Sequence, residues 1–280
     1  MNSVEAKAPP AVSAQEQIST RFVDARRAGA SLPGFPGNIP ASLREAYLVQ
    51  DAGIARVNDV IGGWKVGRIL PPQSTQFGAD RLAGPIFGLS IQMAASGTPA
   101  VSRIFTGGFG AAEAELLLRV GRAPAAGQAR FSLDEAAALI DRVHVGIEIA
   151  SSPLATINEL GPPVIISDFG NNNGLIVGPE VPDWRSAGID NIPVTLHIDG
   201  VAAGRGSAAS FNDGTLGSVR FLLELMAERG YVLAPGTWIS SGAITGVHDV
   251  KVGQVVDVQF GAGPGALVTG CRIAAMPHSG

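Results

Sequence analysis

Cysteine is almost absent. Cys271 is the single thiol in 280 residues, so an intrachain disulfide is excluded, and the first thirty residues lack the apolar segment of a secretory signal. Both features point to the cytoplasm. Long hydrophobic runs are also missing, because Gly, Pro, Asp or Arg interrupts every apolar stretch short of the roughly 20 residues that span a bilayer. Charge of neither sign dominates: 20 Lys and Arg stand against 24 Asp and Glu, for a net charge of −4. Without a basic stripe, nucleic acid and anionic membrane surfaces are poor partners. The four histidines, His144, His197, His248 and His278, show no H-E-x-x-H or H-x-x-x-H spacing, which speaks against a zinc hydrolase. The G-x-x-x-x-G-K-[ST] and G-x-G-x-x-G phosphate loops and the G-x-S-x-G elbow are absent as well, and nucleotide and serine-hydrolase chemistry falls with them.

Glycine (37), proline (19) and hydrophobic residues (46%) are plentiful, which suits one large core with many short strands. Residues 1–14 read as a flexible tail, 15–60 as a helical extension and 61–280 as the main domain. In the extension, Ile18, Phe22 and Ala25 recur at helical spacing before Gly29, and Ser42 with Glu45 opens a second helix. Ser132 and Glu135 cap a further helix over "LDEAAALIDRV", which leads into "VHVGIEIA", where Val143, Val145, Ile147 and Ile149 alternate with His144, Gly146 and Glu148. That alternation predicts a strand. "IPVTLHIDG" repeats it with Asp199-Gly200 as the turn, and a helix over 216–229 stops at Gly230. "TWISSGAI", "QVVDVQF" and "GALVTGCRI" read as closing strands.

Carboxylates carry the chemistry. In "FGAAEAELLLRVGR", Glu113 and Glu115 admit two readings. In a helix, Glu115 pairs with Arg119 at i,i+4. In a strand, Ala114, Leu116 and Leu118 enter the core while both glutamates point to the other face, where paired like charges call for a cation. A hard ion such as Mg²⁺ or Mn²⁺ takes oxygen ligands, and Glu148 is the natural third, unless it faces water at a sheet edge. Lys65 lies among glycines in "GGWKVGR", which lets backbone approach a ligand, although a surface lysine is the ordinary alternative. Asp168 follows the apolar run "PPVIIS" and starts "DFGNNNG", read either as a catalytic group at a strand end or as a turn former.

Taken in order, "GWKVG", "EAELLL", "GIEIASS", "SDFGNNNGLIVG", "GRGS", "LLELMAERGYVLAPGTWISSGAI" and "VKVGQVVDVQF" resemble the 2-keto-4-pentenoate hydratase and 2-oxo-3-hexenedioate decarboxylase branch of the fumarylacetoacetate hydrolase superfamily. The resemblance runs from about residue 62 to 270. It implies an α+β fold, a mixed β-sheet roll with flanking helices, and a homo-oligomer. It further implies Mg²⁺ or Mn²⁺ on Glu113, Glu115 and Glu148, which selects the strand reading, and a substrate site at Lys65, Asp168 and Ser241. The activity implied is hydration of a short 2-hydroxydienoic or 2-oxo-alkenoic acid in aromatic-compound degradation. The rivals are a decarboxylase of the 2-oxo-3-hexenedioate type and a non-catalytic subunit in complex with a related decarboxylase or hydratase. Departures from the branch occur at Ala111, where it has arginine, and at Leu89 and Phe169. The hydrolytic branch's histidine before the E-x-E pair is missing.

Overall fold

The structure, a computed structural model, describes residues 12–94 and 99–278. Residues 1–11 of the expected tail lie outside them. In chain order the helices among the described residues are α1 (Ala14–Ala28), α2 (Leu43–Ile54), α3 (Gln73–Phe77), α4 (Leu133–Leu139), α5 (Ile157–Leu160), α6 (Pro162–Ser167) and α7 (Gly214–Arg229). The first strands are β1 (Ile61–Arg68), β2 (Arg81–Phe87), β3 (Ile91–Met93), β4 (Ala100–Ile104), β5 (Phe109–Val120), β6 (Ile140–Ser152) and β7 (Asn172–Glu180). The remainder are β8 (Val194–Ile198), β9 (Val201–Gly206), β10 (Trp238–Ser240), β11 (His248–Asp249), β12 (Val255–Phe260) and β13 (Leu267–Ala275).

Two mixed sheets result, as expected for this α+β roll. The larger runs β2-β1-β10-β5-β6-β7-β3 with β11 paired to β5, and the smaller runs β4-β13-β12-β8-β9. The larger is centred on the antiparallel pair β5 and β6, in register from Phe109↔Ser152 to Arg119↔Arg142, with a shift before Val120↔Ile140. Alternation explains why it sits there. Ala112, Ala114, Leu116 and Leu118 of β5 join Val143, Val145, Ile147 and Ile149 of β6 in the main core. Each large aliphatic buried in this way stabilises by roughly 1.5–3 kcal/mol. A one-residue slip would send every one of them to the opposite face and bring the acidic residues into the core, so the register is strongly determined.

Local signals place the other elements. Ser13 and Glu16 form a reciprocal capping box on α1, and Gly29 ends it in the left-handed region at φ 64°. On α2, Ser42 accepts from the Glu45 amide, whereas the Glu45 carboxylate accepts from Ala41 rather than from Ser42. Ile18, Phe22 and Val49 of these two helices pack against Leu154, Ile157 and Val164. The extension is thereby seated on the segment that leads to Asp168.

Two expectations are corrected. The helix opened by Ser132 ends at Leu139, and "IDRV" already belongs to β6. Ile140 and Val143 are β-branched and fill core positions there, which outweighs the helical continuation. "PPVIIS" is helix α6 and not a strand end, with proline in its first turn, where the missing N–H costs nothing. A short apolar run cannot by itself distinguish the two. Among the described residues, no helix is long and apolar enough to cross a membrane.

Candidate metal centre

Glu113 and Glu115 lie on the face of β5 turned away from the main core, and Glu113 pairs in register with Glu148 of β6. One carboxylate oxygen from each of the three comes within 4.8 Å of the others. Glu115 and Glu148 are fully buried and Glu113 is 5% exposed. The helix reading of Glu115 with Arg119 is excluded, because Arg119 pairs with Asp141 across the strands.

One buried cation answers the three acids. Lys65 of β1 brings Nζ to 3.1 Å from Glu148 Oε2. Two carboxylates 4 Å apart repel by roughly 4 kcal/mol at an effective dielectric of about 20, so a single ammonium leaves the cluster over-charged. The pKa directions agree. Burial pushes the Glu113 carboxyl up to about 7, with Lys65 opposing and Glu148 adding to the rise. Burial, then the charges of Glu148 and Glu113, hold Glu115 well above the usual carboxylate range. At Lys65 burial works against the ammonium, but the charges of Glu148, Glu113 and Glu115 outweigh it and raise the pKa.

Neighbouring donors aim these carboxylates. Ser240 Oγ donates to Glu115 Oε2 at 2.5 Å, and the Gly242 amide donates to the same oxygen at 2.8 Å. Asn172 Nδ2 donates to Glu148 Oε1 at 2.9 Å. Glu115 Oε1 and Glu148 Oε2 are left buried without a hydrogen bond, the latter facing Lys65 without hydrogen-bond geometry. Orphaned oxygens converging with excess negative charge are what a hard divalent cation requires, and a set made only of carboxylates suits Mg²⁺ or Mn²⁺ over softer ions.

Asp168 and Ser241 take different places. Asp168 is fully buried, with Oδ1 2.5 Å from Arg26 Nε, and Oδ2 2.9 Å from Arg26 Nη2 and 2.6 Å from Ser152 Oγ. It is thus tied to α1 and the end of β6, four residues beyond Glu148, and none of its hydrogen bonds goes to the three glutamates. Ser241 Oγ is buried with no hydrogen-bond partner, while its carbonyl accepts from Ser218 Oγ. Sequence reasoning missed Arg26, Asn172 and Ser240. Asn172 and Ser240 sit inside motifs that were singled out, whereas Arg26 lies 142 residues from its partner and carries no local signal.

At the three departures, Ala111 is fully buried opposite Ala150, Leu89 is 88% exposed, and the Phe169 ring lies 5.3 Å from the Arg26 guanidinium.

No protein-family model matches the chain. Among curated proteins, the 4-oxalocrotonate decarboxylase of Pseudomonas putida is 26% identical over 96 residues. That stretch is 34% of this chain and 36% of that protein, so the match spans about a third of the relative's length. In three dimensions the likeness is far more extensive. The structure of 4-oxalocrotonate decarboxylase from Pseudomonas putida G7, complexed with magnesium and adipate, matches with a TM-score of 0.78 over 95% of this chain and 100% of that one, at 19% identity. Fumarylpyruvate hydrolase from Pseudomonas aeruginosa, in complex with Mn²⁺ and pyruvate, matches with a TM-score of 0.54 over 76% and 89%, at 17% identity. The chain therefore shares the fold of 4-oxalocrotonate decarboxylase and, over a smaller part of its length, that of fumarylpyruvate hydrolase.

Proposed function

We propose that this protein is a divalent-cation-dependent lyase acting on a short 2-oxo or 2-hydroxydienoic acid of aromatic-compound degradation, and a member of the fumarylacetoacetate hydrolase superfamily. The observation that carries the reading is the buried carboxylate trio with two orphaned oxygens and one lysine. Glu113, Glu115 and Glu148 would hold the Mg²⁺ or Mn²⁺. When bound, the cation supplies positive charge for the carboxylate and keto oxygens of a 2-oxo acid. Lys65, raised in pKa and buried beside Glu148, stays cationic and offers a second positive group to an anionic substrate. The buried Ser241 hydroxyl has no partner within the protein and so keeps its donor for a ligand.

Of the two lyase reactions, loss of CO₂ is favoured over addition of water. Water addition needs a base, and Asp168, which the resemblance places at the substrate site, is spanned by Arg26 and Ser152. In decarboxylation the C–C bond to the distal carboxylate of a 2-oxo-alkenedioate breaks, its electron pair moves through the conjugated system onto the 2-oxo oxygen, CO₂ departs, and the resulting enolate takes up a proton. The decarboxylase neighbour, which holds magnesium and the six-carbon diacid adipate, supports this order. Hydration is the second reading, favoured by the buried Ser241 hydroxyl, which has no partner within the protein. The cytoplasmic location and homo-oligomeric state expected from the sequence belong to the same proposal.

The test is a panel of C5 to C7 2-oxo-alkenoates and 2-hydroxydienoates together with their distally carboxylated counterparts, the 2-oxo-alkenedioates, assayed with Mg²⁺ and with Mn²⁺, with CO₂ released from the diacids measured. Turnover with stoichiometric CO₂ is expected, and Glu115→Gln should abolish it. Turnover without CO₂ establishes the hydratase. No turnover by the purified protein, together with co-purification of a related decarboxylase or hydratase, would assign it a non-catalytic role.

A further inference from the structure

Arg26 lies in the last turn of α1, outside the main domain, yet its guanidinium is inserted beside the site with the side chain only 13% exposed. Besides gripping both Asp168 oxygens, it donates through Nη1 to the Asn172 carbonyl at 3.0 Å and to Asn173 Oδ1 at 3.2 Å. Nη2 also donates to the Ser151 carbonyl at 3.1 Å, on the strand that carries Glu148. Its planar face lies over the rings of Phe105 and Phe169, at 5.6 and 5.3 Å. A guanidinium fork with its donors committed in this way is a rigid bracket, which a lysine cannot reproduce.

The bracket closes on a segment that needs holding. Phe169, Gly170 and Asn171 follow one another with φ of 54°, 68° and 64°. Side chains avoid that region, and two successive non-glycine visits to it within three residues persist only where the surroundings impose them. The segment ends at Asn172, whose side chain donates to Glu148 Oε1, while Oε2 makes no hydrogen bond and faces the Lys65 ammonium. A continuous path therefore runs from α1 through Arg26 and the strained turn to one cation ligand.

We infer that Arg26 is a positioning residue for the cation-binding carboxylate of Glu148, acting through the 168–173 segment and Asn172. The inference rests on the cation-binding reading above. Asp168 is in this arrangement the anchor of the bracket, not a base. Partners that orient a ligating side chain are commonly worth 10- to 100-fold in metal affinity, and Arg26 acts one step further out, so about tenfold is expected.

The test measures Mn²⁺ binding directly, by the paramagnetic resonance of the free ion, on the full chain without substrate. Arg26→Gln and Asn172→Ala should each weaken Mn²⁺ binding about tenfold, and Arg26→Lys should fall between Arg26→Gln and the unaltered chain. The double variant should be no more than about twofold weaker than the worse single one, because both substitutions act along one path. Amide exchange over 169–173 should accelerate in the Arg26 variants. An Arg26→Gln protein that binds Mn²⁺ within twofold of the unaltered chain overturns the inference. If that variant does not fold, the same result with Arg26→Lys or with Asn172→Ala overturns it. Fully multiplicative losses in the double variant also contradict it. An unaltered chain that binds no Mn²⁺ overturns the cation reading itself, so the two failures are distinguishable.

Discussion

Glu115 is a residue whose ionised form the fold disfavours unless a cation is present. Burial and the two flanking carboxylates push its pKa well up, so in metal-free protein Glu115→Gln removes a group whose ionisation the fold resists. Its amide oxygen can still accept from Ser240 and Gly242. Calorimetry in the presence of EDTA should show a melting temperature raised by a few degrees, while Mn²⁺ no longer stabilises the variant, the exchange of stability for function expected of a binding site. A lower melting temperature in EDTA would place the source of the pKa shift elsewhere. Glu113 sets a pH dependence. Its carboxyl is raised from 4.5 to about 7 in the folded state. The stabilisation this gives is full below pH 4.5 and is lost as pH rises through about 7, since the unfolded chain gives up its proton first. Metal-free protein should therefore become less stable from pH 5 to 8, and saturating Mn²⁺ should flatten that decline. Because bound protons must leave, Mn²⁺ affinity should rise over the same interval. An affinity independent of pH there would contradict the assignment.

Among the elements, the turn at 169–171 depends on the glycine beneath it. A Cβ on Gly84 of β2 would lie 2.7 Å from Gly170 Cα and closer still to the Phe169 carbonyl, and both obstacles are backbone. Gly84→Ala should thus cost about 1–3 kcal/mol, the usual range for overpacking. Denaturant unfolding would measure it, with Mn²⁺ affinity reduced in parallel, and an unchanged midpoint would mean that the turn is free to move. This turn also marks where legibility ends. Strand β6 could be read, because alternation in "GIEIA" puts carboxylate and aliphatics on opposite faces by geometry alone; "EAELLL" leaves helix and strand open, and the resemblance selects the strand. Helix α6 could not be read, since a six-residue run that opens on two prolines carries no period. Nor could the left-handed run: "DFGN" holds one glycine, and tertiary contacts impose φ above zero on its neighbours.

For the whole molecule, the glutamates legible in the sequence and the arginine that was not differ in physical kind. Glu113, Glu115 and Glu148 meet because two strands pair in a register that their own hydrophobic pattern selects. Arg26 meets Asp168 only because α1 and α2 bury Ile18, Phe22 and Val49 against the segment around α5 and α6, a docking that no short window encodes. The resemblance to a known branch supplied Lys65 and Asp168, and the structure gave them unequal settings: the ammonium beside Glu148, and the carboxylate committed to the extension. A bound cation should also register in overall stability. At 100 times its dissociation constant it adds about 2.7 kcal/mol, or roughly 5 °C or more in melting temperature for a chain of this size. The most direct measurement is anomalous diffraction from a crystal soaked in Mn²⁺. One strong peak per chain, in contact with the carboxylates of Glu113, Glu115 and Glu148, is the expected result. A map with no peak there, or with manganese bound only elsewhere on the surface, would contradict the metal centre and the function built on it.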